Sequence, residues 1–191
     1  MTTDNAAPQD PGRRPPRKLQ IDLDDLAFAL ENAGPEASYF FDLETARIIL
    51  ITADIRGEYN ELVEGLGDVD RAQWAAAFEA ALQEWDGPDW EREVLVEADL
   101  VEAGFGVRYI RLPDADSREG YGDMEDYIET VKQQRLAEQL ARAIHGRGAF
   151  RRFKDALLDD PQERERWFAF QAARQRARAL EWLESEGVEP L

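Results

Sequence analysis

Residues 38–52, SYFFDLETARIILIT, decide the fold class. Two runs rich in aromatic and β-branched side chains flank Asp42-Leu43-Glu44-Thr45, the pattern of a β-hairpin. Ile48, Ile49, Leu50 and Ile51 run without interruption, which predicts a second strand covered on both faces. The sequence around this hairpin is dominated by helical spacing. The expected class is therefore α+β: a small antiparallel hairpin or three-stranded sheet, with packed helices and a C-terminal helical block.

Upstream, residues 21–33 place Leu23, Leu26, Ala27 and Leu30 at helical spacing, with Asp22 or Asp24 as cap and Gly34-Pro35 as stop. Downstream, residues 53–67 are polar and contain glycine, and read as a loop or a short helix. Trp74, Phe78, Ala81, Leu82 and Trp85 predict a helix over 69–85, ended by Asp86-Gly87-Pro88. Residues 89–103 fit two periods, of which the helical one (Trp90, Val94, Ala98, Val101) is preferred. Residues 106–112, GVRYIRL, read as a third strand closed by Pro113. From about residue 123 the pattern is helical. A phase slip between the Met124–Tyr127–Ile128–Val131 stripe and the Leu136–Leu140–Ala143–Ile144 stripe predicts a kink near 132–135. Gly146 suits a C-cap, and Gly148 opens a short helix with Phe150, Phe153 and Leu157 on one face. Asp160, Pro161 and Glu163 then form a helix start. The helix they open runs to about Ser185, with Trp167, Phe170, Ala173, Ala177 and Leu180 expected inward. The organisation expected is a disordered Pro-rich tail over 1–18 and one α+β domain over 19–191. Within that domain, 54–104 is an acidic elaboration and 119–186 the helical block.

The runs AIHGRGAFRRFKDALL, ERERWFAF and ARALEWLESEGVEP, with FDLETARI in the hairpin and DMEDYIETV at the head of the helical block, resemble a bacterial family catalogued as an uncharacterised protein family. The resemblance covers about residues 20–52 and 105–190. It implies a hairpin followed by this helical block in a bacterial cytoplasmic protein, and it implies no activity. Ala46 stands where that family usually carries glycine, so a turn that needs positive φ would be strained here.

Charge is the strongest global signal. The chain carries a net −18, unevenly placed. Residues 1–131 hold 11 Lys/Arg against 31 Asp/Glu, whereas residues 132–178 hold 12 against 6. An acidic body therefore carries a basic C-terminal segment. There is no cysteine and one histidine, His145. Disulfides, thiol nucleophiles, thiolate zinc sites and multi-histidine metal sites are excluded. No apolar run approaches the ~18–20 residues of a membrane span. The first residues lack the apolar core of a signal peptide, so a cytoplasmic location is expected. Neither a Gly-x-Ser-x-Gly elbow nor a phosphate-binding P-loop motif is present.

The leading candidate site is the Gly146-Arg147-Gly148 turn and the helix it opens. Arg147, Arg151, Arg152 and Lys154 lie there, and Arg174 and Arg178 extend the positive field. Amide groups at a helix start and guanidinium groups both attract phosphate-like anions. The competing reading is that Gly146 is only a C-cap and that these bases pair with the chain's own acids. Asp114, Asp116 and Glu125 match calcium-loop spacing at three positions, but Arg118 and Glu119 stand where a ligand and a glycine are required. Asp22, Asp24 and Asp25, or Glu91 and Glu93, read as caps and solvated charge. His145 reads as a cap near a helix end. Among Trp167, Phe168, Phe170 and Trp182, the first and third are read as core, while Phe168 and Trp182 would mark an interface if exposed. The preferred functional class is a non-enzymatic cytoplasmic interaction or regulatory protein with a protein partner. Nucleic-acid or phosphate binding is second, and a carboxylate- or metal-dependent enzyme third. No cofactor or metal is expected, and the oligomeric state is left open.

Overall fold

The computed structural model describes residues 16–191. In chain order the elements are β1 (Arg17–Leu19), α1 (Leu23–Asn32), β2 (Ala37–Asp42), β3 (Ile48–Thr52), α2 (Ala53–Leu66), α3 (Trp74–Glu84), α4 (Asp89–Gly104), β4 (Tyr109–Arg111), α5 (Ser117–Thr130), α6 (Gln134–Ala143), α7 (Ala149–Ala156), α8 (Pro161–Ser185) and β5 (Val188–Pro190). β2 is the centre of a three-stranded antiparallel sheet of order β3-β2-β4, in which Tyr39 faces Leu50 and Phe41 faces Ile48 and Ile110. The α+β class expected from the hairpin is the class observed.

Asp42 closes the hairpin turn. Its carboxylate accepts from the Glu44 amide at 2.8 Å and the Thr45 hydroxyl at 2.7 Å, and from two nitrogens of Arg108 at 3.0 and 2.7 Å. Burial alone would raise this carboxyl, but Arg108 and the turn donors outweigh burial and hold it at about 2. Ala46 sits at φ 60°, a left-handed conformation that glycine adopts freely and alanine does not. The cost relative to glycine is about 1 kcal/mol.

Strand alternation sends neighbouring β2 side chains to opposite faces. On one face Phe40, Ile49 and Ile51 pack with Ile55 and Tyr59 of α2, Phe78 and Leu82 of α3, and Leu95, Ala98 and Val101 of α4. On the other, Tyr39, Phe41 and Leu112 pack with Leu26, Ala27 and Ala29 of α1, Ala179 and Leu183 of α8, and Val188. A third cluster joins Met124, Tyr127, Leu136, Leu140, Phe153, Leu157 and Trp167, with the Phe153 and Trp167 rings 4.7 Å apart. Each large side chain fully buried in this way contributes about 1.5–3 kcal/mol.

Several local expectations are corrected. β3 is not covered on both faces: Ile49 and Ile51 are buried, but Leu50 is 41% exposed. β3 is an edge strand, and the cluster behind it centres on β2. Of the two readings of residues 53–67, the helical one holds, and the helix is longer than expected, because Thr52 ends β3 and caps α2, its hydroxyl accepting from the Ile55 amide. α5 starts at Ser117, capped by Asp116, not near 123. The kink at 132–135 is a complete break between α5 and α6. Phe150 is 43% exposed rather than sharing the buried face of Phe153 and Leu157. In α8, Ala173, Ala177 and Leu180 face outward. The seam runs through Trp167, half-buried Gln171, Gln175 and Arg178, then Ala179 and Leu183. Arg17 and Lys18 belong to β1, which pairs in parallel with β5, so the tail boundary at 18 falls inside a strand. Residues 1–15 of that expected tail lie outside the described residues.

Candidate anion-facing site

The α6–α7 turn is built by two glycines and one arginine. Gly146 and Gly148 both take positive φ, 80° and 76°, on either side of Arg147. Such angles cost a glycine nothing and any larger residue about 1 kcal/mol or more. The Arg152 side chain then reaches back under the turn. It donates to the Ala143 carbonyl at 3.0 Å and to the His145 and Gly146 carbonyls at 2.6 and 3.2 Å, and it also holds the Arg147 carbonyl. These are carbonyls that a helix end leaves without partners. Arg152 therefore acts inside the turn and is not free for a ligand.

With the turn fixed, Arg147 and Lys154 project from an exposed surface and pair with no acid among the described residues. Arg151 reaches Asp155 only at 3.8 Å, with both side chains largely exposed. An exposed pair at that distance contributes little. Arg135 and Arg142, seven residues apart and so on one face of α6, are exposed and likewise unpaired. Beside these bases a groove of about 570 Å³ runs between the first turns of α5 and the α6–α7 turn, lined by Tyr121, Gly122, Glu125, Gly146, Gly148 and Phe150. The Phe150 ring lies over α5 so closely that a Cβ at Gly120 would meet it at 3.0 Å.

The α8 bases have a different fate. Asp123 is 1% exposed, and its carboxylate accepts from Arg174 at 2.9 Å and from Arg178 at 3.0 Å. Arg174 also reaches Asp126 at 2.6 Å, and Arg178 reaches Glu31 at 2.7 Å and Glu119 at 3.3 Å. Burial alone would lower the Arg178 guanidinium, but Glu31 and Asp123 hold it above its ordinary value. Arg176 pairs with Asp24, and Arg166 pairs with Glu163. Of the six bases proposed from sequence, Arg147, Arg151 and Lys154 are each exposed, in the α6–α7 turn and on α7. Arg152 supports the turn from within, and Arg174 and Arg178 stitch α8 to α5 and α1.

The remaining candidates resolve into local structure. Asp116 caps α5 and pairs with Arg118, and Asp114 pairs with Arg111. Asp22 caps α1. No group of three or more metal-ligating side chains occurs among the described residues. Trp167 is buried, and Trp182 packs edge-on against Phe41 at 5.6 Å. Phe168 is 49% exposed. Sequence reading missed Phe150 and Tyr121 as groove walls; the signal was their separation of about thirty residues, which no local pattern connects. It also passed over Arg135 and Arg142, whose seven-residue spacing on an amphipathic helix was visible.

Among the described residues no helix is long and apolar enough to cross a membrane. No solved structure matches the chain. A UPF0158 protein of Pseudomonas aeruginosa is 25% identical over 174 residues, covering 91% of this chain and 88% of the relative. That relative spans the hairpin and both sheet faces as well as the basic turn. The sequence pattern of one family matches residues 94–191, from within α4 to β5, which takes in the turn, its groove and the whole α8 network. On that match, which extends over half the sequence, the chain belongs to UPF0158, an uncharacterised protein family.

Proposed function

We propose that this chain is a non-enzymatic interaction protein of the bacterial cytoplasm. Its working surface is the basic end made by α6, α7 and the turn between them, and its partner is an acidic protein surface. The observation that carries the reading is the contrast in pairing. Arg174, Arg176 and Arg178 are held by the chain's own carboxylates, while Arg147 and Lys154 are left open and Arg151 nearly so. A protein of net −18 that keeps unpaired positive charge at one end has a local field opposite to its global one. Such a field orients a partner and speeds encounter.

The nucleic-acid backbone is the second reading. It is favoured by one feature, the exposed Phe150 ring in the groove beside the bases, with half-buried Tyr121 next to it. Exposed aromatics next to arginine stack on unpaired bases. Fluorescence anisotropy separates the two readings. A labelled poly-glutamate peptide and labelled single-stranded RNA and DNA are titrated across a salt series with wild type and with Arg147→Ala/Arg151→Ala/Lys154→Ala. Peptide binding that weakens with salt and disappears in the variant supports the protein-partner reading. Tighter RNA or DNA binding with a steep salt slope moves the assignment to the second. A surface that binds neither at low salt overturns both.

A further inference from the structure

The acidic part of the molecule carries a surface that complements the basic end. α2, α3 and the start of α4 enclose an open groove of about 830 Å³. Leu62, Ala81 and Trp85 give it an apolar floor, and Glu58, Glu61, Glu84 and Glu91 line it with charge. None of these four carboxylates pairs with a base among the described residues. Two polar atoms of lining residues are shut off from solvent without a hydrogen-bond partner: Oε2 of Glu58, an acceptor, and Nε1 of Trp85, a donor. Trp85 Nε1 is sealed beneath Gly87, where an added Cβ would collide with it, so the indole serves the groove floor and only the carboxylates face a ligand. Burial, followed by the charges of Glu91, Asp54 and Glu61, pushes the Glu58 carboxyl above its ordinary value. Carboxylates crowded in this way are relieved when a cation enters among them.

The basic end supplies cations and apolar surface together. Arg151 and Lys154 are three residues apart on α7, with Arg147 in the turn before them. Phe150 is 43% and Leu158 57% exposed at the same end. α7 has eight residues, about 12 Å of helix, and α3 has eleven, about 16 Å, so the knob is no longer than the groove wall it would lie along. The two surfaces do not meet within one chain, because α2–α4 pack on the sheet through one cluster and α6–α7 pack on α5 and α8 through another.

We infer that the chain associates with itself head to tail, the basic α6–α7 end of one copy seated in the acidic α2–α3–α4 groove of the next. This rests on the basic end being a binding surface and names its partner as a second copy. The contact is heterologous, so each added copy leaves one groove and one basic end unfilled, and growth does not stop at a symmetric dimer. It is held by exposed charge, and it therefore weakens as salt shortens the screening length.

Sedimentation velocity of the full chain tests this. Wild type is expected to form dimers and larger species as concentration rises toward about 1 mM, the range of weak association, and to return to monomer between about 0.1 and 1 M salt. Glu58→Gln/Glu61→Gln/Glu91→Gln removes the groove charge, and Arg147→Ala/Arg151→Ala/Lys154→Ala removes the basic end. Each variant alone is expected to be a monomer. Their equimolar mixture is expected to form a dimer and nothing larger, since it contains one intact groove and one intact end per pair. A restored dimer also proves that both variants fold. Wild type that stays monomeric at low salt overturns the inference, as do oligomers that survive loss of the basic end or a mixture that does not associate. If wild type is monomeric but the poly-glutamate peptide still binds, self-association alone falls and the binding surface stands. If the peptide also fails, both fall.

Discussion

α8 and the α6–α7 turn carry the same kind of residue to opposite ends. In α8, half-buried Arg178 and the more exposed Arg174 meet at buried Asp123 and join three helices. In the turn, Arg147 and Lys154 meet no acid among the described residues, and Arg152 meets only backbone oxygen. Arginine in this chain is therefore used in three ways: as a tertiary clamp, as a brace for a helix end and as open charge. The difference lies in the neighbourhood. α8 crosses beneath α1 and α5, whose facing turns are acidic, while α7 faces solvent beyond its one buried side.

Stability measurements can break or sharpen this contrast. The largest effect is expected for Asp123→Ala, which leaves Arg178 partly buried with one carboxylate fewer and Arg174 with one anchor. Losing charge-assisted hydrogen bonds of this kind costs about 2–3 kcal/mol. Urea unfolding of this variant that matched wild type would erase the distinction between clamp and open charge. The next effect is on pH, at the other buried carboxylate. Asp42 is held at about 2, below its unfolded value of 3.8. Its contribution is thus complete above about pH 4 and disappears as pH falls toward 2. A shift of that size corresponds to about 2 kcal/mol. Acid unfolding of Asp42→Asn should lack this component, and equal acid sensitivity in variant and wild type would contradict the clamp. Arg152→Ala, which removes the brace, should cost about 1 kcal/mol. It should also raise amide exchange over residues 143–148 more than elsewhere. The smallest effect is expected for the Arg147/Arg151/Lys154 triple alanine variant, within about 0.5 kcal/mol of wild type. A large loss there would mean that the open bases serve the fold after all.

Local chemistry made much of the fold legible in the sequence. The hairpin, the Asp22 and Asp160 caps, the Pro161 start and the Ser185 end of α8 all depend on residues a few positions apart, and all are found. The buried face of α8 was legible in its first turns, where Trp167 and Phe170 pack inward as expected, but not beyond them. Its apolar period points to Ala173, Ala177 and Leu180, but the seam is filled by Gln171, Gln175 and Arg178, whose partner Glu31 lies 147 residues away. The same holds for the candidate site. That Arg147 and Lys154 are open while Arg176 is paired depends on Asp24, 152 residues upstream, and no spacing rule reaches that far. The α2–α4 groove was hidden for a related reason: Glu58 lies on α2 and Trp85 just past the end of α3, and its acids look like ordinary solvated charge along the chain.

The junction at Thr52 leaves no slack. One residue is both the last of β3 and the cap of α2, so the sheet's register sets the rotation of the helix. Each residue added there would turn α2 by about 100° around its axis. Ile55 and Tyr59 would swing away from Phe40 and Ile51, and the acidic rim would rotate off the groove with them. Length at this position is therefore a stricter constraint than composition. Sequence drift along α2 is absorbed one side chain at a time, but a single-residue insertion at its root rewrites the whole face.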